Sequence, residues 1–319
     1  MTTCFGVRDG LCDRSDRTAD STWTAADIPD QSGRVAVITG ANSGVGFATA
    51  HELARHGAHV VLAVRNPYKG QAAAAAIRTA IPNADVMVQH LNLASLESVE
   101  RAGAELGGRF DRIDLLINNA GVMGGARSTT VDGFEMHLGV NHLGHFALTG
   151  TLIGHLLAAP NSRIVTVSSA AHRLRARIRF DDLHSQRRYT VNRAYLQSKL
   201  ANLLFTYQLQ HRLNACDSST IAVAAHPGGS TSDITRHSTT PVRLVNQLLQ
   251  SPAMGALPTL RAATDPSVSG GQFYGPRGFL QMCGYPKVVR SSSHSLDLHL
   301  QRRIWTLSEE LTGIDYPAF

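Results

Sequence analysis

The chain has 319 residues, 43% of them apolar and 17% charged, which supplies a real core and excludes a disordered tail, a coiled coil and a disulfide-stapled miniprotein. Its formal charge of +6 is nearly all arginine, because Lys69, Lys199 and Lys287 are its only lysines; spread along the chain, that charge reads first as a solvated basic surface. Cys4, Cys12, Cys216 and Cys283 form no CxxC pair, so neither a metal site nor a disulfide framework is expected, and no apolar run approaches the roughly 18 residues of a transmembrane helix.

Residues 1–30 are polar and of mixed charge, with Arg8, Asp9, Asp13, Arg14, Asp16, Arg17 and Asp20. They lack the apolar stretch of a secretory signal. The expectation is a surface arm, pinned in its second half by Trp23 and Ile28, on a protein of the cytoplasm.

From Arg34 onward short apolar runs alternate with longer amphipathic ones. The runs predict buried parallel strands at Val35–Thr39, His59–Val64, Asp85–Leu91, Leu115–Asn118, Arg163–Val167, Ile221–Ala225 and Gln272–Tyr274. Helices are predicted at Val45–His56, Tyr68–Ala80, Leu96–Leu106, Gly133–Leu157 and Ala194–Leu213. This rhythm implies right-handed βαβ units, hence an α/β doubly wound parallel sheet with helices on both faces, forming a single domain over residues 31–319.

The first strand runs into Gly40-Ala-Asn42-Ser43-Gly44-Val45-Gly46 and then a helix. Glycines there permit a tight turn and close backbone approach, and the helix N-terminus offers N–H groups and a dipole to a pyrophosphate. This is the phosphate loop of a Rossmann fold. The second strand ends in Arg65-Asn66 with no acid. A carboxylate there would accept from the ribose hydroxyl of NAD, whereas an arginine pairs with the 2′-phosphate of NADP, so NADP(H) is favoured over NAD(H).

Tyr195-Leu-Gln-Ser-Lys199 opens a helix and places both side chains on one face. Chance would supply roughly 0.07 such pairs in a chain of this composition. A phenol of pKa about 10 is a sluggish proton exchanger near neutrality, and a nearby ammonium is expected to lower it. The fifth strand ends in Ser168-Ser169, where one hydroxyl can stabilise a forming oxyanion and the other caps the strand. Asn141 lies in the long fourth helix and, if buried, needs polar partners.

Taken together these motifs resemble the short-chain dehydrogenase/reductase family over residues 33–318, nearest to the retinol dehydrogenase and WW-domain oxidoreductase group. The likeness rests on TGANSGVG at 39–46, VRN at 64–66, NNAG at 118–121, VNHLGHF at 140–146, VSSAAH at 167–172, AYLQSKLAN at 194–202 and HPG at 226–228. The resemblance implies Tyr195 as general acid/base, with Lys199 lowering its pKa and binding ribose. It implies Ser169 as the carbonyl-orienting serine, with Ser168 as fallback, and Asn141 as holder of a water that links Lys199 to solvent. Cofactor contacts are implied at Gly40, Asn42, Ser43, Gly44, Val45, Gly46, Arg65, Asn66, Asn118, Ala120, Gly121, Tyr195, Lys199, Pro227 and Gly228. Two positions depart from the family: Asn92, beside Leu93, replaces an aspartate near the adenine, and Ser232, next to Thr231, replaces a threonine that grips the nicotinamide amide.

Arginine alternates with apolar residues through His172–Phe180, which suggests an extended, basic-faced edge; the region is too poor in aromatics for nucleic-acid binding. Residues 229–262 are expected to form a substrate lid. Gly271–Trp305 should give a last strand and an irregular tail, with Leu280, Met282, Val288 and Val289 available as apolar pocket walls. The expected function is an NADP(H)-dependent oxidoreductase interconverting an alcohol and a carbonyl, its substrate small and lipophilic. The alternatives are an NADP-binding redox sensor or scaffold without turnover, and a carbon–carbon double-bond reductase on the same fold. A homodimer could form by pairing of the two long helices.

Overall fold

The computed structural model describes residues 22–229 and 250–317. Eight strands form one sheet in the order β3-β2-β1-β4-β5-β6-β7-β8. These are β1 Val35–Thr39, β2 His59–Val64, β3 Val86–His90, β4 Leu115–Asn118, β5 Arg163–Val167, β6 Ile221–Ala225, β7 Phe273–Pro276 and β8 Pro286–Val288. All pairings are parallel except β7–β8. The seven predicted strands are present within one or two residues at each end; β8, a three-residue edge strand, is too short to have left a periodic signal.

The strand residues divide by alternation between two cores. Ala36 and Ile38 of β1 with Val60, Leu62 and Val64 of β2 pack under α1 (Gly44–Arg55) and α2 (Pro67–Ala80). Val37, Val61 and Ala63 face the other way, toward α3 (Leu96–Arg109) and the later helices. This period of two on each strand, buried on both faces, is why the runs read as continuously apolar. Trp23 and Ile28 are both buried in the first core.

The predicted helix 133–157 is not one regular helix. Glu135 caps a short turn, α4 (Met136–Leu138), which passes through a π-helical turn, Gly139–Leu143, into α5 (Gly144–Leu157). Asn141 sits in the π turn, and such turns recur at functional sites. The 25-residue α6 (Val191–Ala215) follows β5.

Two helices were not anticipated. Within the expected lid, residues 252–264 form α7 (Pro252–Thr264), buried under the sheet with Ala256 and Leu260 fully enclosed. Pro252 is in its first turn, where the missing N–H is harmless. The expected irregular tail contains α8 (Leu298–Thr312), capped by Asp297 and stopped by Gly313 at φ 67°. It packs along α6, with Ile304 against Leu200 and Leu204. Among the described residues no helix is long and apolar enough to cross a membrane. One cysteine departs from expectation: Cys216 is free, but Cys283 is disulfide-bonded.

Three of the buried histidines each hold a side-chain partner through Nε2. His142 Nε2 meets the Ser308 hydroxyl at 2.9 Å, His145 Nε2 meets Thr39 Oγ1 at 2.8 Å, and His226 Nε2 meets Gln281 Oε1 at 3.1 Å. Burial pushes their pKa values down to about 3, 4 and 4 respectively. Between pH 6.5 and 4 the unfolded chain therefore binds protons that the folded chain refuses, so stability falls as pH falls through that window. Urea midpoints measured from pH 7 to 4 should decline, and the decline should be shallower in His142→Asn than in the wild type.

Candidate active site

The sheet order reverses between β1 and β4, so the loops leaving these strands diverge and open a crevice at their carboxyl ends. A cleft of about 760 Å³ lies there. Gly40, at φ 66°, stands so close to the β4 loop that a Cβ would lie 3.0 Å from the Ala120 Cα. A Cβ on Gly46 would meet Asn119 Nδ2 at 2.4 Å and the Gly40 carbonyl at 2.5 Å. The glycines thus answer to packing between the two loops as well as to the turn. Ser43 precedes α1 but its side chain makes no capping bond. Uncapped N–H groups facing a cleft suit an anion.

Asn42, Ser43, Gly44 and Val45 line this end of the cleft, and Arg65 and Asn66 line it at the end of β2. Asn66 caps α2, accepting from the Lys69 N–H at 3.1 Å. Lys69 itself also lines the cleft, and sequence reasoning passed it over. The signal was a cation in the first turn of a helix, where the dipole opposes it. No carboxylate lines the cleft among the described residues. The donors, the bare helix end and the cations together fit a nicotinamide dinucleotide.

Tyr195 and Lys199 form the opposite wall, on the first turns of α6. Lys199 is buried, with Nζ donating to the Val167 carbonyl at 3.1 Å and lying 5.8 Å from the Tyr195 ring centroid. Burial, with no carboxylate to oppose it, brings its pKa down to about 8. The Tyr195 phenol moves the other way: burial raises its pKa, opposed by a hydrogen bond with the Ser169 side chain. Lys199 enters neither effect, its ammonium being turned to a strand carbonyl.

The two serines differ in setting, and it is Ser168 rather than Ser169 that lines the cleft. Ser168 Oγ donates to the Lys199 carbonyl at 2.8 Å, tying β5 to α6, while Ser169 Oγ is left for Tyr195 and accepts from the Ala171 N–H at 3.2 Å. Asn141 clamps the β4 loop from both sides: its Oδ1 accepts from Val122 N at 2.7 Å and its Nδ2 donates to Val122 O at 3.0 Å and Ser198 Oγ at 3.0 Å. Its backbone carbonyl meets His145 Nδ1 at 3.0 Å.

Other expected residues are distributed unevenly. Ala120, Gly121 and Pro227 line the cleft. Asn118 does not; it is fully buried and donates to the Thr149 hydroxyl at 3.0 Å, and Asn119 takes the wall position. Asn92 closes a turn by accepting from Ala94 N, and neither it nor buried Leu93 lines the cleft. Gly228, at φ 67°, follows Pro227, and Ser232 lies outside the described residues. Leu280, Met282 and Val288 are exposed and Val289 is buried with Phe273; none lines the cleft. Gln250 staples this region: Nε2 donates to the Pro227 carbonyl at 2.6 Å, Oε1 accepts from Gly284 N at 3.1 Å, and its own N–H donates to Gly229 at 2.8 Å.

A buried acid–imidazole pair supports the cleft from behind. Glu135 Oε1 accepts from His137 Nδ1 at 2.7 Å, and His137 Nε2 accepts from Gly124 N at 3.3 Å. Burial would raise the Glu135 pKa, but bonds from the His137 side chain and the His137 and Leu138 N–H groups outweigh it and the shift is downward. The imidazole also stands edge-on to Tyr195, with ring centroids 6.4 Å apart. The pair went unnoticed in sequence because Glu-x-His carries no periodic signature.

The match to known proteins follows this geometry. The family model for short chain dehydrogenases matches residues 34–242. The chain belongs to the short-chain dehydrogenase/reductase family. It lies in the retinol dehydrogenase branch: it is 40% identical to human retinol dehydrogenase 13 over 298 residues, covering 90% of this chain and 86% of that one. It is 41% identical to mouse retinol dehydrogenase 12 over 289 residues, covering 89% and 88%. Among solved structures, an uncharacterized protein from Mycobacterium paratuberculosis shares 43% identity at a TM-score of 0.79, covering 93% of this chain and 100% of that one. An NAD(P)-dependent gluconate 5-dehydrogenase from Beutenbergia cavernae with bound NADP shares 27% identity at 0.62, covering 76% and 94%. Membership makes this short-chain dehydrogenase an oxidoreductase of the carbonyl/alcohol class that binds a nicotinamide cofactor.

His137→Ala should strand both the Glu135 carboxylate and the Gly124 N–H, costing roughly 3 kcal/mol in urea denaturation. Glu135→Gln, which keeps an acceptor in place, should lose less.

Proposed function

We propose that this short-chain dehydrogenase is an NADP(H)-dependent carbonyl reductase, able to run in reverse as an alcohol dehydrogenase, with Tyr195 exchanging the proton. The observation that carries the cofactor preference is Arg65 and Lys69 together on a cleft wall without carboxylates. Two cations can share a 2′-phosphate, one as a planar fork and one as a point charge. The α1 N-terminus and the loop from Gly40 to Gly46 would hold the pyrophosphate, and Lys199 the ribose next to the reacting ring.

When bound, the nicotinamide supplies or accepts hydride at the carbon of the substrate's carbonyl or alcohol group. The chain's own residues handle the proton and the charge. A phenol whose pKa is raised by burial is protonated at neutrality, the form that donates to the oxygen of a carbonyl. Ser169, at the end of β5, would hold that oxygen. Lys199 adds positive charge as the oxygen turns anionic. Asn141 keeps the β4 loop against this centre through its two bonds to Val122.

A lipophilic alcohol or aldehyde of the retinoid kind is the substrate class we propose, on the strength of 40% identity to proteins named for retinol.

Tyr195→Phe should lower turnover by a factor on the order of 100 or more and leave NADPH affinity intact; loss of NADPH binding in step with turnover would refute the assignment. Oxidation of NADPH and NADH, followed by absorbance with a carbonyl panel, should favour NADPH by at least about tenfold, and Arg65→Gln with Lys69→Gln should erase that preference. Lys199 loses its charge above about pH 8, so kcat/KM for carbonyl reduction should fall as pH rises through that value.

A further inference from the structure

His137 stands between the acid/base residue and a loop of the cleft. Its ring is edge-on to Tyr195, with centroids 6.4 Å apart, and tilted against Tyr189 at 6.5 Å. Its Nε2 accepts from the Gly124 N–H at 3.3 Å. Met123, Gly124 and Gly125 line the cleft together with Tyr195. One buried imidazole therefore meets both the phenol and the loop that flanks it.

That loop needs outside support. Gly124 and Gly125 lie at φ 106° and 86°, a region open chiefly to glycine. A Cβ on Gly125 would meet nothing within 4 Å, so the glycine there answers to the backbone angle and not to crowding. Two successive glycines have no side chains to pack, and their conformation must be fixed through their peptide groups. Asn141 takes both backbone groups of Val122. His137 takes the Gly124 N–H, and the Tyr189 hydroxyl donates to the Gly125 carbonyl at 3.2 Å.

The imidazole is itself fixed by a charge. Glu135 accepts from His137 Nδ1 at 2.7 Å, and also from the backbone N–H groups of His137 at 3.0 Å and Leu138 at 2.9 Å. A carboxylate only accepts, so the ring proton sits on Nδ1 and the lone pair of Nε2 is left for Gly124. Ring flip or the other tautomer would break one bond or both. The order of command runs from the buried carboxylate to the ring, and from the ring to the peptide group of Gly124.

We infer that His137 is a positioning residue for the substrate: held by Glu135, it fixes the lip Met123–Gly125 beside Tyr195, so that a carbonyl compound (the substrate class proposed above, on which this rests) need not order that lip as it binds. Ordering a loose lip consumes binding energy and raises KM. Two amides separate the two bonds of the ring. Asparagine places its amide near the Nδ1 position and glutamine near Nε2. His137→Asn thus keeps a donor for Glu135 and loses the acceptor for Gly124, while His137→Gln does the reverse. In the full-length protein, with folding checked by urea denaturation, hydrogen exchange across residues 121–127 should quicken about tenfold or more in His137→Asn and stay near the wild-type rate in His137→Gln. KM for the best substrate of a carbonyl panel should rise about tenfold in His137→Asn and return toward the wild-type value in His137→Gln, whichever variant is the less stable. A role confined to stability predicts instead that apparent kcat follows the folded fraction at unchanged KM. Equal exchange in the three proteins overturns the inference, and so does an unchanged KM in His137→Asn. A wild type that turns over no carbonyl refutes the reaction proposed above, and the exchange rates then decide by themselves whether His137 fixes the lip.

Discussion

The hydroxyl of Thr39 joins three parts of the molecule that would otherwise be free to drift. It accepts from the N–H groups of Asn119 and Ala120, each at 2.9 Å, and meets His145 Nε2 at 2.8 Å. The first pair of bonds closes the gap between the ends of β1 and β4, where the reversal of strand order would leave the loops splayed. The third reaches across to α5, whose His145 then meets the Asn141 carbonyl. The floor of the cleft, the glycine turn and the residue that clamps Val122 are thus referred to one oxygen. Because that oxygen is buried, each bond lost there would leave a desolvated group without a partner.

This arrangement explains what was legible in the chain. The phosphate loop, the Tyr195–Lys199 pair and the two serines are local: their meaning lies in spacing along one element, and the geometry keeps that spacing. The seven parallel strands were legible because burial on both faces makes them continuously apolar. Lys69 and the Glu135–His137 pair were not, since their significance depends on which loop the fold carries past them. Asn118 and Asn119 show the limit sharply. Neighbours in sequence, they point to opposite sides of β4, one toward Thr149 and one to the cleft.

α7 and α8 escaped for different reasons. α7 carries Pro258 in its interior, an instance of tertiary context overriding local preference. In α8 the apolar positions Leu300, Ile304, Leu307 and Leu311 do keep helical spacing, but charged and polar residues crowd between them. Its Asp297 cap and Gly313 stop were the readable marks. Spacing also places an ammonium near a ring, but only the fold decides that the ammonium turns to Val167.

The staple at Gln250 also couples distant parts of the fold. By bonding Gly229, Pro227 and Gly284 at once, it brings both borders of residues 230–249 together and anchors them to the sheet. Pro227 lines the cleft and Gly284 leads into β8, so one amide side chain makes the wall of the cavity and the far edge of the sheet answer to each other. A disturbance at that edge would be felt at the cavity through a single residue.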